Sequence, residues 1–403
     1  MNLKLHLNQK FKMNQIINSI LDTDLYKLTM QMAVVKKFPY AKVRYGFINR
    51  GKTVFPEGFA EELRQQVKLM ENLALTKEEK SWLKAKCYYL DPTYLDFLYG
   101  YRYDASEVGI IQKGGDLEIS IEGYWHRTIL WEVPLMAIIS QVYFKMMVQI
   151  PWNEVKREQN NMGKKNLFRM HGMHYADFGT RRRFSYDVHD EVVRHMKGGI
   201  GNDNFVGTSN VHLAHKYNIT PIGTHAHEWF MFHAAKYGYK MANHLSMENW
   251  TDVFRGDLGM ALSDTFTTEV FFKSFDKKFA KLYDGVRQDS GDAIEFADKM
   301  LEHYKSLGID PKSKAIVFSD GLNPETAIKI KDHCRGKIKC SFGIGTNFSN
   351  DVGAKPLNMV IKIIEAKPEG EEWHNCIKLS DSKGKYTGDK KEIEIAKYSL
   401  NIK

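Results

Sequence analysis

The sequence predicts an α/β protein: an irregular, TIM-like α/β barrel beside a split N-terminal α+β domain that the C-terminal tail completes. Three observations carry this expectation. From Tyr175 onward, short apolar runs that end in small and polar residues alternate with helical patterns, the texture of parallel strands joined by crossover helices. Before that point helices mix with a hairpin signal and no unit repeats. After Ile363 the chain returns to short strand-like runs between charged turns.

In the first domain, residues 1–150, the stretch 14–38 has helical spacing and 42–48 alternates like a strand. Residues 59–75, 77–87 and 93–99 read as helices. The apolar runs 108–111 and 117–124 flank Lys113-Gly114-Gly115-Asp116, a hairpin turn. A polar, basic stretch at 153–165 separates this domain from the barrel, residues 151–365. Barrel units start at Tyr175, Phe205, Ile219, Met260, Leu282, Ala315 and Lys339, with residues 359–363 as a last strand. About seven or eight such units close a barrel. A doubly wound open sheet is the competitor, but no Gly-x-Gly-x-x-Gly follows the first strand. In the tail, 375–379 and 393–397 read as strands, and residues 366–403 are expected to pack back on the first domain.

With 403 residues, 43% apolar and 12% aromatic, the chain buries a large core. Its four cysteines, Cys87, Cys334, Cys340 and Cys376, are scattered without a C-x-x-C pair. That argues against a disulfide framework or zinc site and for a reducing compartment. The longest apolar run, 129–144, carries Glu132 and Pro134 and reads as a buried helix, not a membrane span. The basic start, residues 1–13, lacks the continuous apolar core of a secretory signal. A cytoplasmic protein with no membrane partner is expected. The net charge of +9 suits nucleic acid, an anionic surface or phosphorylated small molecules. Lysines at surface spacing, with no aromatic-basic stripe, argue against nucleic acid.

The unusual polar groups fall where barrel strands end, the face that carries active sites in such barrels. Phe178-Gly179-Thr180-Arg181-Arg182-Arg183 offers planar guanidinium forks for phosphate or carboxylate; the alternative is a helix start whose arginines pair with nearby acids. Gly207-Thr208-Ser209-Asn210 is either an anion-binding turn or an ordinary helix cap. Thr224-His225-Ala226-His227-Glu228-Trp229 places two histidines at a helix start, suited to metal binding, proton transfer or phosphoryl acceptance. A third ligand at zinc spacing is missing. Arg287-Gln288-Asp289-Ser290-Gly291-Asp292, Ser263-Asp264 and Ser319-Asp320-Gly321 suit a substrate with hydroxyls, phosphates and a divalent ion. Gly343-Ile344-Gly345-Thr346-Asn347 is a glycine turn at the position where barrels hold phosphate.

In this order and spacing, together with Asp22-Thr23-Asp24-Leu25-Tyr26-Lys27-Leu28 near the start and Lys378-Leu379-Ser380-Asp381 near the end, the set resembles the nicotinate phosphoribosyltransferases of the type II phosphoribosyltransferase superfamily. The resemblance implies an ATP-consuming ligase or glycosyltransferase that forms nicotinate mononucleotide from nicotinate and phosphoribosyl pyrophosphate. It implies a homodimer with shared active sites, in which Tyr26 from the partner subunit and Phe178 sandwich the pyridine ring. Arg181 and Ser209 would face the carboxyl group, with Thr180 also at the substrate. Asp264, Arg287, Asp289 and Asp320 would hold ribose, pyrophosphate and Mg²⁺, the metal by Asp264 and Asp289. Gly343, Gly345 and Thr346 would cradle the ribose phosphate, and His227 would be the phosphorylated histidine. His225 departs from the family's pattern. Nicotinamide transfer is the rival, but amide-preferring relatives carry a carboxylate at the place of Ser209.

Overall fold

A computed structural model describes residues 14–198, 204–382 and 385–402; the reading of residues 1–13 lies outside them. In the N-terminal unit, β1 (Lys42–Asn49), β2 (Val108–Lys113) and β3 (Asp116–Tyr124) lie side by side. β2 and β3 form the expected hairpin, with Gly114 at a φ of 59° in its turn. β3 alternates at period two and buries Leu117, Ile119 and Ile121. Helix Phe59–Met70 covers that face with Phe59, Leu63, Val67 and Met70.

The barrel is built from β4 (Tyr175–Asp177), β5 (Phe205–Thr208), β6 (Met260–Leu262), β7 (Gly285–Gln288), β8 (Ala315–Phe318) and β9 (Lys339–Ile344). They run in the order β5-β4-β9-β8-β7-β6, parallel at every pairing. Two expected strands do not join this sheet. The segment at Ile219 makes only a bridge between Thr208 and Pro221, because proline has no N–H to extend a ladder. Side chains close the remaining seam: Thr224 Oγ1 donates to Met260 O at 3.3 Å, and Leu262 N donates to His225 Nε2 at 3.4 Å. The departure at His225 is therefore a barrel-closing group, its ring packed 4.7 Å from that of Trp250.

The other expected barrel strand becomes β10 (Met359–Lys367), which pairs antiparallel with β1 and with β11 (His374–Asn375). The first sheet thus runs β11-β10-β1-β3-β2, and the chain returns to the N-terminal unit ahead of residue 366. Lys362 between two isoleucines is the sign: a strand buried on both faces of a parallel barrel has no place for a charge at its middle.

Three further expectations are corrected. The supposed linker at 153–165 is helix Glu154–Met170, capped by Asn153, whose side chain accepts from Lys156 N at 3.0 Å. The tail run at 393–397 lies in helix Lys390–Leu400, capped by Asp389, and it packs on the barrel-side helix Tyr239–Phe254. Of residues 14–38 only Leu25–Lys37 is helical. The apolar run around Glu132 is a core element as expected. Trp125–Met147 is long and apolar enough to cross a bilayer, yet 78% of its 18-residue apolar window is buried within the protein. The Phe232 ring packs 4.8 Å from Phe38 and 4.2 Å from Trp125, between the two units, so both share one core.

Candidate functional site

The carboxyl ends of the barrel strands open on a cavity of about 410 Å³, walled by Tyr26, Phe178, Arg181, Arg182, His227, Arg287, Asp289, Gly343, Gly345 and Thr346, with Glu132 and Lys362 from the N-terminal unit. Tyr26 belongs to the same chain as the rest. Its helix is tied to the barrel by Leu25 N donating to Ser209 O at 2.8 Å and Thr29 Oγ1 donating to Thr224 O at 2.6 Å. Gly223, at φ 148°, lets it approach: a Cβ there would stand 3.2 Å from Tyr26 N. Tyr26 thus lines the cavity of its own chain.

Around Tyr26 the charges are buried and interlocked. Lys27, fully buried, lies 2.5 Å from Glu132 Oε2 and 2.6 Å from Glu228 Oε2. Burial alone would raise the Glu132 carboxyl, but the Lys27, Lys362 and Arg181 charges hold it down to about 2. Arg181 Nη1 is 3.7 Å from Glu132 Oε1 and its Nε 4.0 Å from Asp24 Oδ2. The guanidinium is thus steadied from behind while its face stays on the cavity. Ser209 is fully buried and donates to Asp24 Oδ1 at 2.7 Å. Thr180 is equally buried and accepts from Asn210 Nδ2 at 3.3 Å. Neither lines the cavity. Ser209 reaches the site only through Asp24 and Arg181.

At the other side stands His227, the first residue of helix His227–Tyr237. Its Nδ1 is 2.9 Å from Thr265 Oγ1. Its Nε2 is 3.0 Å from Asp289 Oδ2 and 2.9 Å from Lys378 Nζ. Burial and the Lys378 charge push the imidazole down to about 4, so it is neutral near pH 7. With Nδ1–H donating to Thr265, the Nε2 lone pair accepts from the Lys378 ammonium. Burial would raise Asp289, yet the Arg287 charge, with that of Lys378, holds it well below the usual carboxylate range. Ser319 Oγ donates to its Oδ1 at 2.7 Å. Asp264 lies behind this layer. Its Oδ2 accepts from Ser290 at 2.6 Å and from Lys378 at 3.2 Å, while its buried Oδ1, 3.8 Å from His227 Nε2, has no hydrogen-bond partner among the described residues. Oxygen or nitrogen atoms of His227, Asp264 and Asp289 all lie within 4.8 Å of one another.

The glycine turn closes the far wall. A Cβ on Gly343 would come within 3.0 Å of the Phe178 ring, so this glycine makes room for the aromatic. The turn Gly345-Thr346-Asn347 is braced by Lys164, which contacts Asn347 O and reaches Asp351 Oδ2 at 2.5 Å. Arg182, which burial and the Arg181 charge push down to about 10, projects here. Asp320 is at the rim with both oxygens accepting from Lys385, at 2.8 and 3.0 Å. Its neighbours Ser319 and Gly321 line the cavity, and it does not.

Sequence reasoning assigned no role to Glu132, Lys362, Lys378 or Lys27. Lys378 and Lys27 sat inside quoted motifs, and Lys362 was a single charge in an apolar strand. Those were the available signals.

Residues 173–402 match the nicotinate phosphoribosyltransferase (NAPRTase) family, and residues 21–140 match its N-terminal domain. The chain is 57% identical to a nicotinate phosphoribosyltransferase of Chromohalobacter salexigens over 387 residues, covering 96% of this chain and 99% of that one. It is similar to the crystal structure of the nicotinate phosphoribosyltransferase of Porphyromonas gingivalis, with a TM-score of 0.93 and 46% identity over 96% of this chain and 100% of that one. The Vibrio cholerae enzyme's structure matches at a TM-score of 0.89 and 34% identity, over 96% and 95% of the two chains. With both parts of the fold matched and the cavity between them intact, the chain belongs to the nicotinate phosphoribosyltransferase family.

Proposed function

We propose that this chain joins nicotinate to phosphoribosyl pyrophosphate in NAD biosynthesis or salvage, with ATP hydrolysis coupled through a phosphohistidine at His227. The ring nitrogen of nicotinate attacks C1 of the ribose, the C1–O bond to pyrophosphate breaks, and nicotinate mononucleotide and pyrophosphate result. No strong general base is needed, because the pyridine nitrogen already carries a lone pair. The protein's part is orientation and neutralisation of the departing charge. Tyr26 and Phe178 flank the ring, Arg181 takes the carboxylate, and Arg182 with the Gly345-Thr346 turn takes the ribose phosphate.

The observation that carries the ATP coupling is His227 itself, a neutral imidazole with Nε2 beside Lys378 and Asp289. Nε2 attacks the γ-phosphorus of ATP, ADP leaves, and water later returns the phosphoryl group as phosphate. Lys378 and Arg287 stabilise the added charge. Asp264 and Asp289 would hold Mg²⁺: their oxygens converge, and Asp264 Oδ1 is a buried acceptor without a hydrogen-bond partner among the described residues. Bound there, Mg²⁺ would neutralise pyrophosphate oxygens. All four cysteines are free, which supports a cytoplasmic setting. If the chain forms a homodimer, each subunit has its own Tyr26.

The test is direct. The protein is incubated with phosphoribosyl pyrophosphate, Mg²⁺, ATP and either nicotinate or nicotinamide, and the nucleotide is identified. Nicotinate mononucleotide with stoichiometric release of ADP supports the proposal. Product formation unaffected by ATP refutes the coupling.

A further inference from the structure

Lys362 stands out among the groups that the mechanism leaves unused. It sits at the middle of β10, between the buried Ile361 and Ile363, and its side chain enters the cavity from the N-terminal unit. Its cross-strand partner on β1 is Gly46, so no side chain there competes for the ammonium. Among the described residues it makes no hydrogen bond and no ion pair. Every other cation on that side is engaged: Lys27 by two carboxylates, Arg181 loosely by Glu132 and Asp24.

The charges around the pyridine end make this amine decisive. Glu132, Glu228 and Asp24 are three buried carboxylates; Lys27 and Arg181 supply two cations against them. Without a further cation this end would repel a carboxylate and suit an uncharged amide. Resting on the proposed nicotinate reading, we infer that Lys362 selects the carboxylate over the carboxamide form of the pyridine substrate, as the unpaired cation that meets the ring substituent together with Arg181. Its charged neighbours are Glu132 from helix Glu132–Met147, Arg181 after β4, Lys378 from the tail and Asp289 after β7. Arg182 shares Arg181 and Asp289 with it, but also neighbours Arg50 and Asp320, whereas Lys362 neighbours Glu132 and Lys378. Only Lys362 of the two therefore stands beside the Glu132 carboxylate at the Tyr26 end, and the proposed phosphate contacts are left to Arg182 and the glycine turn.

The experiment compares wild type, Lys362→Met and Lys362→Arg in steady-state kinetics with nicotinate, nicotinamide and phosphoribosyl pyrophosphate, each protein checked for folding by circular dichroism. A wild type that prefers nicotinate upholds the underlying substrate reading independently of the variants. In Lys362→Met the KM for nicotinate rises about ten- to hundred-fold, the scale of one lost hydrogen bond to a charged group. The kcat/KM for nicotinamide holds or rises, and the KM for phosphoribosyl pyrophosphate stays within about two-fold. Lys362→Arg recovers most of the nicotinate affinity. The inference is overturned by an unchanged nicotinate KM in the methionine variant. It is equally overturned by a rise confined to phosphoribosyl pyrophosphate, or by parallel losses with both pyridines.

Discussion

Replacing Lys27 with methionine keeps the volume of the side chain and removes the one charge that two buried carboxylates share. Lys27 is fully exposed to neither solvent nor cavity, and its ammonium lies 2.5 and 2.6 Å from Glu132 and Glu228. Breaking a buried ion pair from one side costs about 3–5 kcal/mol. With an unfolding entropy of about 2.1 cal/mol/K per residue over 403 residues, that loss lowers Tm by roughly 4–6 °C. The sign with pH follows from linkage. In wild type the Glu132 carboxyl is held down to about 2, so its contribution is present above its unfolded value of about 4.5 and is lost below. In the variant the two carboxylates face each other, one is raised above its unfolded value, and the cost grows as pH rises. Glu228, raised already by burial, is the one that takes the proton. The Tm difference between the two proteins is therefore largest near pH 8 and shrinks toward pH 4.5. Melting curves followed by circular dichroism across that range measure it. A fall of less than about 1 °C at pH 8, or a difference that does not change with pH, would refute the reasoning.

Other expectations follow from the same geometry. His227→Asn should abolish acid-labile labelling by γ-labelled ATP while slow, ATP-independent nucleotide synthesis survives with a raised KM; label persisting in the variant would exclude this histidine as acceptor. Mixing Tyr26→Ala with Asp289→Ala subunits should restore no activity, because each chain supplies its own tyrosine, and recovery after subunit exchange would show a shared site. Burial, outweighing the Glu132 charge and aided by Arg181, pushes the Lys362 ammonium down to about 8, so the KM for nicotinate should climb as pH passes through 8 and that limb should vanish in Lys362→Met. A flat wild-type profile between pH 7 and 9 would contradict it.

The parallel strands were legible because each ends in a distinctive polar cluster, and those clusters do converge on one face. What was not legible depended on contacts distant in sequence. Ile219-Thr220-Pro221 has the composition of a strand, yet its proline limits it to a bridge. The β10 run matches the barrel's texture, and only its antiparallel fit to β1, more than 300 residues earlier, assigns it elsewhere. Residue types at Ser209 and Thr180 suited an anion site, but both hydroxyls are buried off the cavity wall, and that of Ser209 serves the buried Asp24 instead. The motif drew notice to Tyr26, whereas its place on the cavity wall is a matter of how helix Leu25–Lys37 docks. Lys378 was in view within its motif, and its closeness to His227, 151 residues away, was not.

The seam between Thr224 and β6 has a mechanical consequence. A ring of strands zipped by main-chain ladders is stiff, since opening it anywhere breaks several bonds in concert. Here two side-chain bonds, Thr224 to Met260 and Leu262 to His225, replace a ladder over one sector. The same sector carries His227 and, just past β6, Asp264 and Thr265. The wall therefore has one compliant joint, located at His227, the proposed phosphoryl acceptor. His225, two residues before His227, acts as the clasp of that joint, so a small separation of two strands can widen the space around the His227 Nε2 without disturbing the ladders that hold Phe178, Arg287 and the glycine turn in place.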